Sequence, residues 1–160
     1  MKKLMMLPVL FLGFNSFALA DSQVEAITAK LKSLHGRVGT VVSSYESGIE
    51  GRSCRLATED YDFEMAGRQF SGTKVTLEDT GMYFTPGVEI DNDTKSYGAN
   101  TLLVSTSSKR AGGDACGDWG GAVGYKETIS VEGNTVTIRQ KFRCLWDAFE
   151  KFDLATVCKF

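Results

Sequence analysis

The sequence predicts a mainly β protein, an antiparallel up-and-down barrel or sandwich of about eight strands with one short N-terminal amphipathic helix. After residue 36 the chain consists of short runs rich in Val, Thr, Tyr, Phe and Ile, separated by Gly, Asn, Asp and Ser. Two such runs flank Glu132-Gly133-Asn134 with alternating apolar and polar residues, which is the pattern of a β-hairpin. Residues 22–35, in contrast, have the periodicity of a helix.

The first twenty residues have the layout of a cleavable secretory signal of bacterial style. Lys2 and Lys3 precede an apolar run over residues 4–17, and the small-x-small triplet Ala18-Leu19-Ala20 follows that run. The apolar run is shorter than the ~20 residues that a membrane-spanning helix needs. We therefore expect cleavage after Ala20, a periplasmic or secreted product, and no transmembrane segment after cleavage.

Residues 21–160 are expected to form a single disulfide-stapled β-rich domain. Loss of Lys2 and Lys3 would change the formal charge from −2 to −4, because the signal contains no acidic residue. Binding to a nucleic-acid backbone requires a basic surface, which this acidic balance does not supply, so we expect no nucleic-acid partner. No repeat, low-complexity linker or change in composition marks a second domain.

The predicted helix has one apolar face. Its apolar residues recur at steps of three, four and three: Val24, Ile27, Leu31 and Leu34. Ser22 and Glu25 suit a capping box at its start, and Gly36 suits its end. We expect the apolar face to pack on the sheet, and the alternative is a helix that docks on a partner.

The strands are predicted from the apolar runs that follow the helix. These runs are residues 37–45, 52–58, 61–65, 69–77, 82–90, 101–107, 123–131, 135–144 and 149–160. In the hairpin, alternation predicts one buried face: Ile129, Val131, Val136, Ile138, Phe142 and Cys144. Arg139, Lys141 and Arg143 then face solvent, as antiparallel sheets permit.

Four cysteines, an even number in an exported chain, predict two disulfides: Cys54, Cys116, Cys144 and Cys158. Three pairings are possible. The hairpin would bring residues near 123 opposite residues near 144, which favours Cys116–Cys144 and leaves Cys54–Cys158. A metal site is the alternative, but the cysteines are widely spaced and His35 is the only histidine. We therefore expect no metal and no cofactor.

Catalytic motifs have little support in the sequence. A Cys116 nucleophile would need His35 as its base, and a disulfide is the more ordinary state of such a cysteine. Ser71-Gly-Thr-Lys74 matches S-x-x-K, but the S-D-N and K-T-G elements that accompany that motif do not occur. We therefore expect a protein that is not an enzyme.

Acidic and apolar residues alternate between Glu59 and Met65. This pattern places Asp62 and Glu64 on a face opposite Tyr61, Phe63 and Met65, so a solvated strand face is expected. An acidic patch for a basic partner is one alternative. Another is a hydrolase that uses the Glu59–Glu64 carboxylates, or Ser71 with Lys74.

Aromatic residues near one predicted disulfide are the candidate contacts with a ligand or partner: Trp119, Trp146 and Tyr125. The alternative is that the tryptophans only close the core. The expected function is an exported binding module for a small apolar ligand or a protein, bound at a loop-bearing end. An envelope-associated structural protein that docks through residues 22–35 is a further alternative.

The predicted architecture resembles that of lipocalin-like barrels and small periplasmic inhibitor proteins. The resemblance rests on chain length, the export signal and the number of strands. A likeness at this level implies a barrel-like fold and carries no function.

Overall fold

The computed structural model describes residues 16–83, 85–105, 122–144 and 151–160. Within these ranges it contains one helix and nine strands, so the mainly β prediction is confirmed. The helix α1 spans Ser16–Ser33. The strands are β1 Val38–Ser44, β2 Ser53–Met65, β3 Arg68–Glu78, β4 Gly87–Asp91, β5 Lys95–Gly98, β6 Thr101–Ser105, β7 Ala122–Glu132, β8 Thr135–Cys144 and β9 Lys151–Lys159.

All nine strands belong to one antiparallel sheet with the order β4-β3-β2-β1-β9-β8-β7-β6-β5. The sheet curls into a half-barrel, so that β4 at one edge contacts β6 and β7 near the other edge. This arrangement corresponds to the barrel-like prediction. The sandwich alternative is not formed, because the strands do not divide into two packed sheets.

The two runs predicted as separate strands at 52–58 and 61–65 form one strand. The pairing of β2 with β3 continues without interruption from Arg55 opposite Glu78 to Met65 opposite Arg68. The polar residues between the two runs occupy ordinary ladder positions, because an antiparallel sheet tolerates exposed polar side chains on a solvated face. The strand predicted at 82–90 begins only at Gly87, and β5 was not predicted because it is short and polar.

Helix α1 packs its apolar face on the concave side of the sheet. Ile27, Leu31 and Leu34 are buried in the same cluster as the strand residues, and Val24 packs partly buried against it. Because this apolar face is covered by the sheet, the structure disfavours the alternative of a helix that docks on a partner. Gly36 ends the helical segment with φ of 75°, as predicted.

The beginning of α1 differs from the prediction. The helix starts at Ser16, so Ser22 lies inside it and the predicted capping box with Glu25 is wrong for this chain. Ala18, Leu19 and Ala20 are good helix formers, which explains the extension. The expected cleavage site lies within this helix, and the signal peptide remains a prediction.

The β7–β8 hairpin has the predicted register and burial. Ile129 lies opposite Ile138 and Val131 opposite Val136, and all four side chains are buried. The positive φ of Gly133, 59°, allows the tight turn between them. Period-two alternation was therefore a reliable indication of the buried face here.

The predicted Cys54–Cys158 disulfide is confirmed. It joins β2 to β9 across the intervening β1, between residues 104 positions apart in the chain. Cys144 is also disulfide-bonded. Cys116 lies outside the described residues, so its pairing with Cys144 stays a prediction. Across the described part of the chain, no helix is long and apolar enough to cross a membrane.

Candidate functional site

Of the three predicted contact residues, the structure describes only Tyr125; Trp119 and Trp146 lie outside the described residues. Tyr125 is buried, and its hydroxyl donates to Glu127 Oε1 at 3.1 Å. Its ring lies 6.2 Å from that of Phe142, centroid to centroid, in a small cluster beyond the main core. Tyr125 therefore contributes to packing and borders a groove.

The groove beside Tyr125 has a volume of about 760 Å³. One wall comes from β2, β3 and β4, and the other from Tyr125, Glu127 and Gln140 of β7 and β8. Glu127 is buried, and Gln140 Nε2 donates to its Oε1 at 2.8 Å. A buried carboxylate with such donors is held in one position.

Polar and charged side chains make up most of the described lining of this groove. It contains five carboxylates and one ammonium: Glu59, Glu78, Asp79, Glu89, Glu127 and Lys74. Arg55 pairs with Glu78 at 2.9 Å and with Asp79 at 3.0 Å. The concave interior of the sheet, in contrast, is occupied by the apolar core and α1. The groove is therefore suited to polar groups and poorly suited to an apolar ligand.

The residues of the predicted catalytic alternatives do not converge. Ser71 and Lys74 are three positions apart in the unbroken strand β3, so their side chains point to opposite faces of the sheet. The same alternation separates Glu59, which borders the groove, from Glu64. His35 Nδ1 accepts a hydrogen bond from the Thr58 N–H at 2.9 Å, a contact that ties the turn after α1 to β2.

Asp60 connects the helix to the sheet. Its carboxylate accepts a hydrogen bond from Lys32 Nζ at 2.8 Å and another from Thr73 Oγ1 at 2.7 Å. The hydrogen bonds from Lys32 and Thr73 hold the pKa of Asp60 below its ordinary value. The Asp60 carboxylate therefore has a structural role, because both of its hydrogen-bond donors belong to the helix and the sheet that it connects.

A second, smaller groove of about 350 Å³ lies among the basic residues of β7 and β8. Lys126 Nζ lies 3.6 Å from the centroid of the Tyr97 ring. Asp153 pairs with Arg139 at 2.6 Å and with Lys141 at 3.0 Å. Burial raises the pKa of Asp153, but the hydrogen bonds from Arg139 and Lys141 outweigh it and lower the pKa. The single carboxylate of Asp153 thus pairs with two of the three cations in the described lining, and the groove keeps an excess of positive charge.

The outer halves of β2 and β3 form a two-stranded projection. Strand β1 pairs with β2 only over Ser53–Arg55, and β4 pairs with β3 only over Gly72–Thr76. We call residues 60–71 the β2–β3 ribbon. Its turn residues Ala66 and Gly67 have φ of 52° and 72°, which is typical of a two-residue hairpin turn.

One face of the ribbon is aromatic and exposed. Phe63 is 48% exposed, Met65 60% and Phe70 37%. Phe63 lies opposite Phe70 with their rings stacked at a centroid distance of 5.3 Å, and Tyr61 lies 5.9 Å from Phe63. These side chains contact one another, yet a substantial part of each remains open to solvent.

Gly72 supports this aromatic row. A Cβ atom at Gly72 would lie 2.7 Å from the Tyr61 hydroxyl oxygen, and it would also collide with the Ile90 carbonyl oxygen. The missing side chain therefore lets Tyr61 lie across β3. Cross-strand pairing of an aromatic residue with glycine compensates for the poor strand propensity of glycine.

The other face of the ribbon is acidic. Asp60, Asp62 and Glu64 lie on it, all exposed, and the Gln69 amide donates to Asp62. Sequence alternation predicted this division of side chains, but it gave no reason to expect that the aromatic face would be uncovered. The ribbon turn lies at the end of the sheet opposite the strand ends that flank residues 106–121 and 145–150.

No protein-family model matches the chain, and no curated protein matches it significantly.

Proposed function

We propose that this protein is an exported, non-enzymatic binding protein that recognises another protein through the aromatic face of the β2–β3 ribbon. The observation that carries the proposal is the exposure of Phe63, Met65 and Phe70 together on one projecting face. Exposed apolar side chains that form a contiguous patch are typical of protein interaction sites. Aromatic residues are also enriched among the residues that contribute most to binding.

The remaining features support a surface-binding role over the alternatives. The polar lining of the larger groove disfavours a small apolar ligand. The opposite orientations of Ser71 and Lys74 disfavour a serine–lysine hydrolase. The buried stripe of α1 disfavours an envelope protein that docks through that helix. Export is supported by the signal-like N-terminus and by the Cys54–Cys158 disulfide.

The proposal is tested by affinity capture from the extracytoplasmic fraction of the producing organism. We expect the wild-type protein to retain a defined partner, and the double variant Phe63→Ser/Phe70→Ser to lose it. Val42→Ser is the matched control, because Val42 is 54% exposed on β1 outside the ribbon. Circular dichroism would verify folding of both variants. Equal capture by the wild type and the double variant would refute the proposed surface.

A further inference from the structure

Along the ribbon, the outer edge of β2 has no partner strand in the part of the chain that the structure describes. The Leu56 N–H donates to the Arg37 carbonyl at 3.1 Å, and the Gly36 N–H donates to the Leu56 carbonyl at 2.7 Å. Both main-chain groups of Leu56 therefore point away from β3. Beyond Leu56, no strand in the described ranges pairs with this edge of β2.

The main-chain N–H and C=O groups of successive residues alternate in direction along a strand, so the orientation of these groups in the residues after Leu56 follows. Thr58 points its N–H to the same side and donates it to His35. The main-chain N–H and C=O groups of Asp60, Asp62 and Glu64 must then also point towards the open edge. Those of Tyr61 and Phe63 point to β3, with which both residues are paired.

We infer that the β2–β3 ribbon binds an extended peptide segment of its partner as an additional strand along β2, with basic residues alternating with apolar ones. This inference rests on the proposed function, because it specifies how the same ribbon would bind. Main-chain hydrogen bonds to a sheet edge supply affinity in such complexes, and alternate side chains supply specificity.

The side chains of β2 specify the chemistry of that segment. Residues opposite Asp62 and Glu64 would share their face, so Lys or Arg would be favoured there. The intervening residues would share the face of Phe63 and Met65, so apolar side chains would be favoured there. Since Asp60 already pairs with Lys32, the charge preference is strongest at Asp62 and Glu64.

The same charges disfavour a second copy of this chain as the occupant. Two β2 edges brought together would place their Asp62 and Glu64 side chains on adjacent strands, and like charges there are destabilising. Charged residues on sheet edges commonly prevent such self-pairing. An oppositely charged segment would avoid this repulsion, which gives the edge selectivity for its partner.

The test uses the full mature chain, labelled with ¹⁵N, and the synthetic peptide Lys-Val-Lys-Phe-Lys-Val. We expect binding to slow hydrogen exchange of the Asp62 and Glu64 amides. The Tyr61 and Phe63 amides, which already face β3, should change little. The permuted peptide Lys-Lys-Lys-Val-Val-Phe has the same charge without the alternation, and it should bind more weakly.

Charge dependence is tested with Asp62→Asn/Glu64→Gln, which should weaken binding by roughly tenfold, the effect of two cross-strand charge pairs. Glu132→Gln, an exposed change outside the ribbon, is the control and should bind as the wild type. Equal binding of the two peptides would overturn the inference, since it would indicate charge attraction alone.

Binding without protection of Asp62 and Glu64 would overturn strand addition but leave the aromatic face as a binding surface. Absence of any binding would overturn the partner chemistry. A dimer of the free protein that protects these same amides would identify a second copy as the occupant and also overturn the inference. The capture experiment with Phe63→Ser/Phe70→Ser decides the proposed function separately in each case.

Discussion

Removal of the Cys54–Cys158 disulfide should destabilise the protein strongly. The bond links residues 104 positions apart, and both cysteines are fully buried. In the chain-entropy account, a cross-link that closes a loop of about 100 residues contributes about 4.7 kcal/mol, because it restricts the unfolded chain. Cys54→Ala/Cys158→Ala should therefore lose about 4–5 kcal/mol of unfolding free energy. The corresponding fall in Tm is about 10–20 °C for a chain of this size.

The measurement is urea unfolding, followed by circular dichroism, with both the midpoint and the slope m determined. Loss of a long cross-link lets the unfolded chain expand and expose more surface, so m should rise. Val41→Ala is the control, because Val41 is buried directly opposite Cys158. It should lose stability through a cavity while m stays unchanged.

The outcome that would refute this reasoning is a loss below about 1 kcal/mol with no change in m. The disulfide would then contribute little restriction to the unfolded chain, because residual structure would already hold the two cysteines near each other.

Three further predictions concern local features. Gly72→Ala should lower the unfolding free energy in urea by about 1–3 kcal/mol, because its Cβ has no room beside Tyr61. Gly98→Ala is the control and should lower it much less, because the nearest neighbour of a Cβ there lies at 4.0 Å. Equal losses in the two variants would contradict the packing argument. For Asp153, burial raises and two hydrogen bonds lower the pKa, and the net result lies below its ordinary value of 3.8. A lowered pKa stabilises the folded state above pH 3.8, and this stability is lost as the pH falls through the folded-state pKa. Asp153→Asn should therefore be less stable than wild type by up to ~1 kcal/mol at pH 7, and the difference in unfolding free energy should close below pH 3.8. A difference that stays constant with pH would exclude the charge as its cause. Mass spectrometry of the exported protein should find an N-terminus just after Ala20, and an intact N-terminus would contradict the predicted signal.

Much of the fold could be predicted because it depends on local periodicity. Alternation in the β7–β8 hairpin identified Ile129 and Ile138 as buried, and the three-four spacing identified the buried face of α1. The cross-strand relationship of the hairpin also led, by elimination, to the Cys54–Cys158 pair. These inferences succeed because a side chain's direction follows from its position in a regular element.

The candidate site could be predicted only in part. The sequence separated Tyr61, Phe63 and Met65 from the acidic residues between them, and this separation is present in the ribbon. It did not reveal that both faces of the ribbon are exposed. Alternation distinguishes the two faces of a strand, but it does not state whether another element covers either face.

The sequence by itself therefore determined a mainly β chain, its helical stripe and the buried face of its main hairpin, because these follow from local side-chain periodicity. Only the tertiary structure decided that the sheet curls into a half-barrel and that β1 and β4 stop short of the ribbon. The lengths of neighbouring strands depend on pairing between distant parts of the chain. That pairing leaves Phe63 and Phe70 exposed on a projecting face, the surface through which we propose that this protein binds its partner.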